Sequence, residues 1–298
     1  MSSGSRQLDE LLKEHSPVVA PGTFNALFAR LIERQGFSSV YLSGAGVANS
    51  LLGKPDIGLV TMDEMATVAR LICEVVTIPV IADGDTGYGG VHNVARTVSA
   101  FEEAGVAAIQ LEDQVFPKRC GHFDGKEVVS VGEMLERLAA AREARGSTTG
   151  DGIRIIARTD ALDPLGFDEA LRRARIYGEA GADLLFVEAP TTREQLEIIG
   201  RELSEWHLVA NMVEGGKTPL LSADELAQLG FSLILFPGSI IRAITSAAKS
   251  LLQVLADHGT TETMLDDMAT FEEVNQLVGL NESDLWEQGI SAKTSDRE

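Results

Sequence analysis

Glu103-Ala104-Gly105-Val106-Ala107-Ala108-Ile109-Gln110-Leu111-Glu112-Asp113 is the stretch from which the architecture can be read. A helical pattern runs up to the glycine, a short apolar run follows as a buried strand, and acids stand where that strand emerges. Glu179-Ala180-Gly181-Ala182-Asp183 repeats the opening and leads to Val187-Glu188. Gly36-Phe37-Ser38 and Gly230-Phe231-Ser232 open strands in the same manner. Recurrence of one local unit predicts a chain built from βα repeats.

Working outward, candidate strands fall at 17–20, 38–43, 78–83, 107–112, 153–158, 183–188, 207–211 and 232–236. The last six are nearly continuous in Val, Ile, Leu, Ala and Phe, as expected of parallel strands covered on both faces. Helical patterns lie at 24–34, 62–76, 94–104, 131–144, 167–180, 193–205, 223–229 and 239–258, after a leading helix within 1–16 around Leu8, Leu11 and Leu12. Eight strands, each followed by a helix, predict a (β/α)8 TIM barrel. A doubly wound open sheet is the alternative, but no Gly-x-Gly-x-x-Gly fingerprint accompanies the repeats. Residues 1–298 are expected to form one barrel domain with a C-terminal helical arm from about 239 to 298.

The 298 residues are 44% hydrophobic and 23% charged, ordinary for a chain with a sizeable core. A net charge of −20 argues against a nucleic-acid partner, and an anionic substrate would need a local positive centre. No run of about 18 apolar residues suggests a membrane span, and the N-terminus lacks a signal-peptide core, so a cytoplasmic protein is expected. Cys73 and Cys120 lie far apart and do not suggest a disulfide.

Active sites of such barrels lie at the C-terminal ends of the strands. Those ends carry Ser43-Gly44, Asp83-Gly84-Asp85, Glu112-Asp113, Arg158-Thr159-Asp160, Glu188 and Asn211. Each could be a turn residue alone; the whole set reads more readily as a site. Asp83, Asp85 and Glu112, from neighbouring strands, suit a hard divalent cation such as Mg²⁺. Asp56 is either a fourth, outer acid or a turn residue after Pro55. Cys120 has Lys118, Arg119 and His122 within two positions, which would favour the thiolate and lower its pKa from ~8.5 toward neutrality. The competing reading is an inert buried cysteine, and that is the reading taken for Cys73. Arg158 is a carboxylate clamp, a salt-bridge partner of Glu188, or both. Thr86-Gly87-Tyr88-Gly89-Gly90 lacks the Lys-Ser/Thr of a P-loop. Like Glu214-Gly215-Gly216-Lys217-Thr218-Pro219, it could approach a ligand or let a lid move. His15, His92, His207 and His258 fit no pattern.

Lys118-Arg119-Cys120-Gly121-His122 resembles the lyase signature of the isocitrate lyase/phosphoenolpyruvate mutase superfamily. Asp83-Gly84-Asp85-Thr86-Gly87-Tyr88-Gly89, Glu112-Asp113-Gln114 and Ala157-Arg158-Thr159-Asp160-Ala161 resemble the same family, in the same order along nearly the whole chain. The resemblance implies a barrel whose last helix is exchanged between subunits, in a homotetramer that is a dimer of dimers. It implies Mg²⁺, with Mn²⁺ as a substitute, at Asp83, Asp85 and Glu112, and Asp56 outside them. Substrate would be held by Ser43, Gly44, Ala45, Arg158, Asn211, Gly121 and Pro237. The catalytic candidates are Cys120, Arg158, Glu188 and His122, with Cys120 as general acid and residues 118–126 as a lid. The substrate implied is a small di- or tricarboxylate, cleaved between C2 and C3 of a 2-hydroxy acid.

Phosphonopyruvate-forming mutases and oxaloacetate decarboxylases lack the Cys-Gly-His element. Asn211-Met212-Val213-Glu214-Gly215-Gly216-Lys217-Thr218-Pro219 is most similar to 2,3-dimethylmalate lyases and carboxyphosphonoenolpyruvate mutases, and less to 2-methylisocitrate lyases. Met268-Ala269-Thr270-Phe271-Glu272-Glu273-Val274-Asn275 again resembles the dimethylmalate lyase group. Oxaloacetate hydrolases tend to have serine where Pro237 stands. A Mg²⁺-dependent lyase is therefore expected first, a phosphonomutase second and an oxaloacetate hydrolase third. A barrel kept only for binding would be expected to lack a metal acid or the thiol, and none is missing.

Overall fold

Strand β4 is Ala108–Glu112, and all five of its residues are buried. Strands β2 (Val40–Leu42), β3 (Val80–Asp83) and β6 (Leu184–Val187) are buried throughout as well. Cover on both faces is why these strands read as unbroken apolar runs rather than as alternation. In the computed structural model, which describes residues 4–14, 17–123, 125–146 and 152–295, they join β1 (Val18–Thr23), β5 (Arg154–Thr159), β7 (His207–Asn211) and β8 (Phe231–Phe236). The eight strands form a closed parallel barrel in chain order, with β8 paired back onto β1 from Val18↔Leu233 to Pro21↔Phe236. Closure leaves no strand edge unpaired. The expected (β/α)8 barrel is present.

Helices fall near where the 3.6-residue pattern places them, and several of their starts are fixed by side-chain caps. Helix α1 is Gly4–Lys13, and α2 (Ala26–Arg34) is capped by Asn25. The four-residue helix α3 (Gly44–Val47) is capped by Ser43. Thr61 and Glu64 form a capping box at α4 (Met62–Cys73). Helices α5 (Val91–Glu103), α6 (Val131–Ala144), α7 (Leu162–Leu165), α8 (Phe167–Glu179), α9 (Arg193–Glu202) and α10 (Ala223–Gln228) follow in order. Four pieces differ from the sequence reading. The turns Gly44–Val47 and Ala48–Leu52, and α7, are too short to leave a periodic signal. Strand β1 continues through Pro21-Gly22, a pair that reads as a break; a Cβ at Gly22 would run into the backbone of Pro237, so the glycine serves close approach of β1 to the end of β8.

Helix α1 closes the end of the barrel where strands begin. Leu8 and Leu12 join Val18, Tyr41, Ile81, Ala108, Ile156, Phe186 and Leu233 in one apolar cluster. Ser5 Oγ donates to Ala107 O at 3.1 Å, and Asp9 accepts from Arg154 Nε at 2.8 Å. The opposite end, where strands finish, remains for chemistry. Residues 1–3, 15 and 16 of the expected leading helix, His15 among them, lie outside the described residues.

The chain divides into two units, Met1–Ile241 and Arg242–Glu298. Helix α11 (Ser239–His258) starts in the first; the second adds a 3₁₀ turn at Glu262–Asp267, α12 (Phe271–Leu277) and α13 (Leu280–Ser295). The expected tail is thus helical. No helix among the described residues is long and apolar enough to cross a membrane.

Candidate active site

Asp83 ends β3, Glu112 ends β4, and the turn Asp83-Gly84-Asp85 lies against β4. A Cβ at Gly84 would stand 2.8 Å from Gln110 O, so only glycine lets the two strand ends approach this closely. Asp85 adopts the left-handed region, φ 47°, and its N–H donates to Asp83 Oδ1 at 3.1 Å. Backbone strain of this kind persists only where surrounding structure enforces it. Gln110 Nε2 also donates to Asp83 Oδ1, at 3.3 Å, and Gln110 Oε1 accepts from Tyr41 OH at 3.2 Å. The backbone of Gly44 faces the same acid: a Cβ there would be 2.8 Å from Asp83 Oδ2. Ser43 Oγ accepts from Gly46 N at 3.1 Å, so this side chain caps α3.

Lys118 enters this acid group from the loop after β4. Its Nζ lies 2.6 Å from Asp56 Oδ1 and 2.8 Å from Asp85 Oδ1. Burial works against the ammonium, but Asp85, Asp83 and Asp56 outweigh it and hold Lys118 cationic, with its pKa well above the usual range. One ammonium is shared among several acids. Burial therefore still pushes Asp85 up to about 7, with Lys118 opposing and Asp83 and Asp56 adding to the rise. Burial likewise raises Glu112 well above the carboxylate range, against the pull of Arg158. These acids are short of positive charge.

Arg158 ends β5, and pairing of β4 with β5 sets Glu112 opposite it. Its guanidinium is bidentate to Asp160, Nε–Oδ2 2.8 Å and Nη2–Oδ1 3.0 Å. Glu112 Oε2 is 3.3 Å from Nε and Glu188 Oε1 is 3.5 Å from Nη2. The planar group also lies over the Phe186 ring, 5.1 Å from its centre. The salt-bridge reading of Arg158 holds to the extent that Glu188 lies 3.5 Å away, yet its main partner is Asp160. Arg-x-Asp in an extended segment puts both side chains on one face, and that spacing could have revealed the pair. Asn211 Nδ2 reaches both Glu188 oxygens at 3.3 Å.

The Cys-Gly-His loop is seated on this group. A Cβ at Gly121 would collide with Glu188 Oε1 and Arg158 Nη2, so glycine is required for the contact. His122 Nδ1 accepts from Lys217 N at 3.0 Å, which places the imidazole proton on Nε2, 3.4 Å from Glu188 Oε1. Burial lowers the His122 pKa, with Glu188 opposing, and the ring is neutral. Lys126, which the sequence reading did not single out, donates from its buried Nζ to Gly121 O and, at 3.2 Å, to Asp160 Oδ1. Pro237 follows β8, its backbone turned toward Gly22.

One expectation is corrected. Cys120 is not poised as a thiolate: burial raises its pKa, and a backbone contact at His122 only partly opposes this. Lys118 is adjacent in sequence, but its ammonium is committed to Asp56 and Asp85. The thiol keeps its proton. Cys73 is raised to about 12 by burial in α4, consistent with a core role.

Among the described residues, no three His, Cys, Asp or Glu side chains stand close enough as they lie to enclose an ion. The donors nevertheless fit a hard cation. Buried side-chain atoms without a hydrogen-bond partner are Asp85 Oδ1, Glu112 Oε1, His122 Nε2, Asn211 Oδ1 and Thr218 Oγ1. Asp85 Oδ1 has its ion pair with Lys118, but not at hydrogen-bonding angles. Two of the five are carboxylate oxygens of the acid group, and the others come from the rim and loops above it. Buried polar atoms are rarely left unpaired, and a set gathered at one end of a barrel marks a place for a ligand.

A family profile described as phosphoenolpyruvate phosphomutase matches residues 8–256. A 2,3-dimethylmalate lyase from Eubacterium barkeri is 47% identical over 274 residues, covering 92% of this chain and 93% of that protein. A 2-methylisocitrate lyase from Aeropyrum pernix is 41% identical, covering 97% and 92%. Among solved structures, an oxaloacetate acetylhydrolase bound to 3,3-difluorooxalacetate superposes with TM-score 0.92 at 36% identity, covering 97% of each chain. A phosphonopyruvate hydrolase solved with oxalate and Mg²⁺ superposes with TM-score 0.85 at 28% identity, covering 97% and 98%.

Proposed function

The chain belongs to the phosphoenolpyruvate phosphomutase family, within the isocitrate lyase/phosphoenolpyruvate mutase superfamily, and from that membership we propose a Mg²⁺-dependent carbon–carbon lyase. Its substrate is a small 2-hydroxydicarboxylate of the 2,3-dimethylmalate or 2-methylisocitrate type, and its products are pyruvate or a related 2-oxo acid plus a carboxylate. The observation that carries this reading is a thiol kept protonated by burial, on a loop seated against Arg158 and Glu188 above the acid group. A rearrangement that only moves a phosphorus group from oxygen to carbon leaves no carbanion to protonate, whereas C2–C3 cleavage leaves one that needs a proton donor.

A divalent cation held by Asp83, Asp85 and Glu112, with Asp56 outside them, supplies positive charge against the oxygen charge that develops at C2. The Mg²⁺ in the phosphonopyruvate hydrolase structure supports this choice. The rest is the work of the chain's own residues. Backbone N–H groups at Gly44 and Ala45 bind a substrate carboxylate beside Asp83; the Ser43 N–H, expected to join them, is instead given to Thr23 O at 3.0 Å. Arg158, held flat by Asp160 and Phe186, and Asn211, held by Glu188, orient the other end. The 2-hydroxyl proton passes to solvent as C2–O becomes a carbonyl and C2–C3 breaks. The bonding pair stays on C3, delocalised into the adjoining carboxylate. Cys120 then gives its thiol proton to C3, and the resulting thiolate regains a proton before the next turnover. Glu188 and His122 hold the loop, and Gly121 lets it approach.

Cys120→Ser should leave the fold intact and reduce pyruvate release by about 10²-fold or more, the scale for a lost general acid. Unchanged turnover would remove Cys120 from the mechanism. Likeness to the oxaloacetate acetylhydrolase favours a second reading, hydrolysis of oxaloacetate at the same acids. Pro237, at the position where such hydrolases were expected to carry serine, counts against it.

We also propose a homo-oligomer. Helix α11 buries none of its residues, and Leu252, Leu255, Phe271, Leu285 and Trp286 are exposed. Apolar side chains gathered in so short a segment call for cover, and a second copy of the chain supplies it in the expected helix-exchanged dimers.

A further inference from the structure

We propose that Lys126 is a positioning residue that latches the Cys120 loop shut, by tying the Gly121 carbonyl to Asp160. The proposal rests on the reading of residues 118–126 as the loop that closes over the site.

Beyond the Lys118 ion pairs with Asp56 and Asp85 and the approach of His122 to Glu188, three tethers hold the residues around Cys120. Gln114 clamps Arg119 from both sides, Oε1 accepting from its N–H at 3.0 Å and Nε2 donating to its carbonyl at 2.8 Å. Lys217 N donates to His122. The third tether is Lys126, and it differs from the others in bringing a charge into the buried side of the loop. Its Nζ bonds the carbonyl of Gly121, the residue next to the thiol, and Asp160 at 3.2 Å, with both side chains essentially inaccessible.

Asp160 is a fixed anchor for such a latch. Its carboxylate holds Arg158 in two hydrogen bonds, and its backbone N–H donates to Asp113 Oδ1 at 2.8 Å. Asp113 is itself pinned by Thr159, Tyr177 and Arg173. Lys126 therefore connects a loop to a part of the barrel wall that cannot follow it. Opening the loop must pull an ammonium away from a buried carboxylate and leave the Gly121 carbonyl without its donor. Charge-assisted hydrogen bonds are among the stronger ones, so the latch biases the loop toward the closed position before any substrate arrives.

The two cysteines provide the test. Iodoacetamide labelling of each is followed by peptide mass spectrometry, without any turnover, so failure of the latch and failure of the lyase reading are separate results. Cys73, half-buried in α4, reports general loosening of the fold. Lys126→Met should raise the Cys120 labelling rate on the order of tenfold, the weight of one charge-assisted bond to a buried partner. Cys73 should not change, and Lys126→Arg should return Cys120 toward the wild-type rate. Should the methionine variant fail to fold, Lys126→Gln is read in the same way. An unchanged Cys120 rate, or Cys73 labelling that rises with it, would overturn the latch.

Discussion

Cys120 holds its proton because burial of the thiol outweighs every cation near it, while the nearest lysine in sequence is bound to Asp56 and Asp85. This sets the alkaline side of the pH profile. On the proposed mechanism turnover needs the protonated thiol, so it should fall only at a pH above the ordinary thiol range. On the acid side stands His122, whose pKa is lowered from 6.5 by burial, against Glu188. The folded protein binds this proton less readily than the unfolded chain does. Its contribution to stability is therefore present above 6.5 and is lost as pH falls through the lower folded value. Protonation would also remove the Nδ1 acceptor of the Lys217 N–H and release that tether. With the metal acids saturated by Mg²⁺, a profile of kcat/KM against pH should thus be flat between these limbs, and the acid limb should move in His122→Gln. An alkaline limb near pH 7 would show a thiolate-poised cysteine and contradict the assignment.

Elements meet at Asp113. The carboxylate at the end of β4 accepts from Thr159 Oγ1 (2.8 Å) and Asp160 N (2.8 Å) after β5, and from Tyr177 OH (2.8 Å) and Arg173 Nη1 (3.0 Å) of α8. Asp113→Ala leaves Tyr177 OH and the Asp160 N–H without their acceptor and takes a buried carboxylate from Arg173, which keeps Val129 O and Glu169. It should cost about 3 kcal/mol or more of unfolding free energy by denaturant titration. An unchanged midpoint would show that the site does not depend on this junction. The barrel itself was legible because fully buried parallel strands leave apolar runs that helices and glycines punctuate; seven of the eight strand ends were placed within a residue, and β1 was not, since Pro21-Gly22 imitates a break. The acids at strand ends were legible for the same reason. What sequence could not show was who meets whom. Lys118 pairs with residues 62 and 33 positions away, and Lys126 with one 34 away. Such partners are chosen by barrel closure and not by local pattern.

On the scale of the whole molecule, the chain carries a net charge of −20 and still gathers acids at one end of its barrel. A cation bound there stabilises the fold by mass action, so Mg²⁺ should raise the melting temperature of the wild type and not that of Asp83→Ala. Equal shifts in both would place the ion elsewhere. Light scattering should find an assembly larger than one chain. Leu252→Lys combined with Leu255→Lys should reduce its size, while an unchanged size would show that α11 is not the contact. The central claim is tested most directly by release of a 2-oxo acid with Mg²⁺ present. The substrates are 2,3-dimethylmalate, 2-methylisocitrate, isocitrate, oxaloacetate and citramalate, each with and without EDTA, with phosphonopyruvate followed in parallel. Pyruvate or a close relative is expected from one hydroxy acid, lost on chelation. Silence on every hydroxy acid, with turnover of phosphonopyruvate or release of oxalate from oxaloacetate, would contradict it.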